Sequence, residues 1–170
     1  MNWAHIHLVL NHAPVLGTVF GLALFAYALA RRDEGLKRIG LGVFVIIALL
    51  ALPVFFTGEP AEGVVEGTAG ISEPLIEAHE AAALFALIGV ELLGAVALAG
   101  LLFTRGRQRP LSAPLARATV LVSLVAAGLM ARTANLGGKI HHTEIRAGAV
   151  PPADGEAGEA EDEAEHGEGR

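Results

Sequence analysis

The chain has no cysteine, so neither a disulfide nor a thiolate-ligated metal can be proposed for it. Its only methionines are Met1 and Met130, too few for a thioether-based copper(I) carrier. No nucleophile elbow, HExxH pair or phosphate-binding loop is present, which leaves hydrolytic chemistry without a candidate residue set. The sequence before the first apolar run lacks the basic stretch of a signal peptide; Arg31 and Arg32 follow that run instead. This order favours an uncleaved anchor with its N-terminus outside.

What is present is apolar residue in long runs. Of the 170 residues, 53% are hydrophobic and mean hydropathy is +0.53, more than a soluble domain of this size carries. Crossing the hydrocarbon core takes about 20 mostly apolar residues. Four stretches meet that length, at about 8–30, 39–56, 81–103 and 115–136, and they are apolar nearly all round. A soluble bundle would show a polar stripe on each helix. The expectation is an all-α bundle of four transmembrane helices occupying residues 1–146. The third helix reaches back to about residue 73, with Ser72 as N-cap and Pro74 in the first turn. Residues 147–170, rich in Pro, Gly, Ala and Glu without apolar periodicity, read as a disordered acidic tail.

Basic residues sort by loop. Arg31, Arg32, Lys37 and Arg38 lie after the first helix, and Arg105, Arg107, Arg109 and Arg117 lie between the third and fourth. The stretch 57–80 has no lysine or arginine. The positive-inside rule then places both basic loops in the cytoplasm and both termini outside; Arg132, Lys139 and Arg146, near or beyond the outer end of helix 4, weaken the asymmetry without reversing it. A multi-pass protein of the bacterial inner membrane is the corresponding localisation. On this map all seven histidines (His5, His7, His12, His79, His141, His142 and His166) fall on the outer side.

The stretch 5–17, HIHLVLNHAPVLG, puts three of them at the mouth of helix 1. Pro14 either kinks that helix or opens it. In a helix continuous through Pro14, His5 and His12 share one face, while His7, Asn11 and Thr18 lie nearly opposite. Of the two, the deeper His12 is the expected inward residue. His79, about two turns into helix 3, then comes to a similar depth. Two histidines on separate helices suit a haem b, with His12 and His79 as the pair and His7 as substitute. A bare zinc or copper(II) site would draw instead on His5, His141, His142 and Glu144. A third option is no cofactor at all, with interfacial imidazoles merely tolerated.

Glu91 stands in the middle of helix 3, where an ionised acid costs several kcal/mol. Glu80, Leu84, Leu87 and Glu91 form one stripe that suits proton entry from outside. The alternative is a protonated Glu91 hydrogen-bonded to a hydroxyl such as that of Ser123. Leu136-Gly137-Gly138 reads as the stop of helix 4, or else as backbone left bare for a bound group.

Asn11-His12-Ala13-Pro14, Thr57-Gly58 closing helix 2, His79 opening helix 3 and Gly137-Gly138 closing helix 4 together resemble the bacterial four-helix integral membrane proteins grouped as a domain of unknown function. These open with a His-x-Pro motif, and the likeness spans roughly residues 5–146. Ala13 replaces the family's aromatic residue, and the ending KIHHTEIR departs from its apolar one, so His141 and His142 are not carried over. The resemblance implies association with Rieske or c-type cytochrome modules, hence respiratory electron transfer. The functional expectation is electron transfer at the outer face, by a protein that is not an enzyme on its own. The partners to expect would be the lipid bilayer, other respiratory or cytochrome subunits and a second copy of itself, without nucleic acid. A non-catalytic membrane subunit or scaffold is the alternative.

Overall fold

The computed structural model of the chain describes residues 2–66, 68, 71–105, 109–142 and 145–146. It is all-helical, with five helices among those residues: α1 (Trp3–Arg31), α2 (Glu34–Phe56), α3 (Gly58–Val65), α4 (Glu73–Thr104) and α5 (Ala113–His141). α1, α4 and α5, and the run that begins with α2, are long and apolar enough to cross a membrane. Helix α3 is a short extra turn pair continuing from α2, in a stretch whose Gly and Pro content reads as loop. The acidic tail expected at 147–170 lies outside the described residues.

Helix α1 begins earlier than its apolar run because Asn2 caps it, its side-chain oxygen accepting from His5 N at 2.9 Å. It runs unbroken through the buried Pro14. The Thr18 hydroxyl donates to the Pro14 carbonyl at 2.6 Å, keeping that polar pair inside its own helix. The helix closes on Arg32 in the left-handed region (φ 55°), and Asp33 immediately caps α2 by accepting from Leu36 N at 2.9 Å. Two long helices thus reverse direction in two residues.

Helix α2 packs against α1 and α4, and α5 packs against α4 and α1. The core is filled by Phe25, Leu41, Phe44, Val90, Leu93, Ala97 and Ala126. Phe25 and Phe44 meet edge to face, centroids 6.1 Å apart. Each ring also sits over a glycine of the opposite helix, Phe25 over Gly40 and Phe44 over Gly21. Small residues here let the two backbones approach, as membrane helices require where lipid gives no hydrophobic push. Large apolar side chains such as Phe20, Phe85, Phe103 and Leu121 point outward, the inverse of a soluble surface.

One end of the bundle holds the basic residues of the two short loops, while Arg132, Lys139 and Arg146 lie toward the other. At the first end Glu34 accepts from Lys37 Nζ at 2.6 Å and from Leu111 N at 2.9 Å, joining the start of α2 to the residues before α5. The opposite end holds the histidines.

Candidate functional site at the histidine end

Helix α1 turns its His7 face inward, so the expectation that His12 points into the bundle is corrected. His5 and His12 are exposed, whereas His7 and Asn11 are partly buried and Thr18 is fully buried. His12 uses Nδ1 on the carbonyl of Leu8, one turn back on its own helix, at 2.8 Å. The continuous helix fixes this outcome, since seven residues keep His5 and His12 on one side and put His7 on the other.

His7 reaches across to the end of α2. Its Nδ1 lies 3.1 Å from the Val54 carbonyl oxygen and 3.1 Å from Thr57 Oγ1. The Thr57 hydroxyl in turn donates to Val54 O at 2.8 Å. That carbonyl can only accept, so the His7 proton sits on Nδ1. His79, on α4, makes the same kind of bond to α5: its Nδ1 lies 3.0 Å from the Thr133 carbonyl oxygen. Both neutral rings are therefore held in the tautomer that leaves the lone pair on Nε2.

The two rings are near enough that a charge on one is felt by the other. Both are partly buried. Among the described residues neither Nε2 has a hydrogen-bond partner, and the single sealed, unpaired side-chain polar atom is Glu91 Oε1. The two Nε2 atoms are thus unspent and still reachable. An imidazole whose Nδ1–H is fixed by a carbonyl and whose Nε2 is left open is the arrangement that metal-ligating histidines adopt.

Helix α5 does not stop at Gly137-Gly138; it runs on to His141. Gly137 instead lies beside the His79 ring, and a Cβ there would stand 3.0 Å from His79 Cε1. The bare backbone serves a histidine of the protein itself. Near the other ring, the Cβ position of Gly58 is 3.8 Å from His7 Cε1. Thr57-Gly58 therefore lies against His7, and Gly137 against His79. The sequence reading missed the carbonyls of Val54 and Thr133, which no side-chain pattern can reveal.

His141 and His142 are exposed at the end of α5 and His5 is exposed at the start of α1, while Glu144 and His166 lie outside the described residues. No group of three His, Cys, Asp or Glu side chains suited to a metal ion occurs among the described residues. Glu80 is exposed, with the carboxyl of Glu62 of α3 beside it. Ser123 does not meet Glu91: its hydroxyl donates to Val120 O of its own helix at 2.9 Å.

No family model, curated protein or solved structure matches the chain.

Proposed function

We propose that this membrane protein holds a haem b at the histidine end for electron transfer, and that His7 and His79 are the residues that would hold it. The observation that carries the reading is the pair of imidazoles from α1 and α4, each with Nδ1 fixed on a backbone carbonyl and Nε2 unspent. The donor set also favours haem over a bare metal. A haem asks the protein for two axial nitrogens, whereas a bare zinc site asks for three or four protein ligands. A haem bound there would supply one-electron exchange. The chain's own part is to present two neutral imidazoles, orient them through Val54, Thr57 and Thr133, and keep them partly out of water.

The distribution of arginine and lysine supports an extracytoplasmic position for this end in a bacterial inner membrane, with both termini outside. The family likeness in His12-Ala13-Pro14, Thr57-Gly58, His79 and Gly137-Gly138 supports a place beside cytochrome or Rieske subunits. A single site near one surface can relay electrons along that face, not across the bilayer.

A second reading rests on the same bonds. His7 ties α1 to α2, and His79 ties α4 to α5, so both serve equally as fasteners in a non-catalytic membrane subunit. A visible spectrum of detergent-purified protein, oxidised and then dithionite-reduced, separates the two. Haem binding gives a reduced b-type spectrum that is lost in His7→Ala and His79→Ala and kept in His12→Ala. Colourless protein after expression with added haem precursor, with both variants merely less stable, establishes the fastener role instead.

A further inference from the structure

Glu91 lies near the middle of α4's apolar run. At 1.5 Å per residue it is about 15 Å from residue 81 and about 18 Å from residue 103. Its carboxyl is divided between two environments. Oε1 is sealed inside the protein with no hydrogen-bond partner. Oε2 is not sealed, and Leu84, Ile88, Leu92 and Leu98 on the neighbouring turns all face outward.

Among the described residues, no side chain satisfies an ionised form. The hydroxyls of the bundle interior are already committed: Thr18 donates to Pro14 O, Thr119 to Leu115 O and Ser123 to Val120 O. The apolar part of α2 that packs against α4, residues 39–56, has no titratable side chain, and neither do residues 118–131 of α5. Along α4, Glu80 and Arg105 are the nearest charged residues, each three or more turns away. Arg132 of α5 is exposed near the histidine end. A carboxylate with neither cation nor donor is too costly at this depth, so the group carries its proton.

We propose that Glu91 is a proton-binding site open to the lipid phase, a neutral carboxylic acid that a hydrophobic carbodiimide modifies from within the bilayer. In that reaction the acid adds across one N=C bond of the reagent. Its proton goes to nitrogen and its oxygen to the central carbon, giving an O-acylisourea that rearranges to a stable N-acylurea. No other reactant is consumed.

The test uses the full chain reconstituted in phosphatidylcholine vesicles at neutral pH. Dicyclohexylcarbodiimide is applied to one sample and a water-soluble carbodiimide to another, and the modified peptide is located by mass spectrometry. The expected result is modification of Glu91 by the hydrophobic reagent alone, with that adduct absent from Glu91→Gln. Modification of Glu91 by the water-soluble reagent, or by neither, overturns the proposal. Infrared spectra of the same vesicles give a second readout that does not depend on reagent access: a protonated carboxyl stretch present in the native protein and missing in Glu91→Gln. Its absence from the native protein overturns the proposal as well.

Discussion

The backbone of Gly137 lies against the imidazole of His79, so that a methyl group at residue 137 would stand 3.0 Å from Cε1 and 3.2 Å from Nδ1. The ring is gripped from two directions, by this bare backbone and by the Thr133 carbonyl one turn earlier on the same helix. Gly137→Ala must therefore push the ring aside. The glycine-to-alanine change itself favours a helix by about 1 kcal/mol, and displacement of the ring costs about 1–3 kcal/mol. Among the described residues, Gly138→Ala meets only Ile145, at 3.7 Å. Gly138→Ala is expected to keep or raise thermal stability in detergent, and Gly137→Ala to lower it and to weaken whatever signal His79 gives.

His7→Ala removes a partly buried bond to Val54 O and leaves that carbonyl with Thr57 alone. A loss of about 1 kcal/mol is expected. His12→Ala removes only an exposed bond to its own helix and should fall within about 0.5 kcal/mol of the native protein. Equal losses in denaturant titrations of the two variants would contradict the inward placement of His7.

Gly94 on α4 presses on Ala48 of α2, and any Cβ at residue 94 collides with the Cβ of Ala48. Both partners are short and cannot swing away. Gly94→Ala should destabilise by about 1–3 kcal/mol. Gly128→Ala, where none of the described residues lies within 4 Å of the new atom, should not. The paired melting curves check the α2–α4 contact directly.

At the arginine end, Glu34→Ala strips Leu111 N and Lys37 Nζ of their shared acceptor. The residues leading into α5 lose their tie to α2. Limited trypsin digestion is expected to cut after Arg105 several times faster in the variant, with the helices themselves intact; Arg109 is followed by Pro110 and is not a trypsin site.

The absence of cysteine makes topology simple to measure. A single cysteine at Glu59 in α3 is expected to react with a membrane-impermeant maleimide on intact cells, and one at Arg109 only after permeabilisation. The reverse pattern would invert the proposed orientation and move the histidine end to the cytoplasm.

The four spanning helices were legible because twenty apolar residues in a row have few other uses, and helix α4 begins at Glu73 as Ser72 and Pro74 suggest. Which face of α1 turns inward was not legible. The helix is apolar nearly all round, so the choice between His7 and His12 depends on tertiary packing, and depth along the helix proved the wrong guide. Gly137-Gly138 misled for a related reason. Glycine usually ends helices, but here the lack of a side chain serves the neighbouring His79 ring. Ser123 was a plausible donor to Glu91 by depth alone, yet its hydroxyl is spent within its own turn. The carbonyls that orient the two histidines come from backbone, and only the fold brings them there.

Among the described residues, the side-chain hydrogen bonds that reach from one long helix to another element sit at the two ends: His7 to α2 and His79 to α5 at one, Glu34 and Arg38 of α2 to the residues leading into α5 at the other. Between them the interior hydroxyls bond within their own helices. The bundle is hooped at both rims like a barrel, with staves that touch through shape alone. A bilayer of changing thickness is then met by tilt in the soft middle, while the rims, and the spacing of the two imidazoles in one of them, keep their geometry.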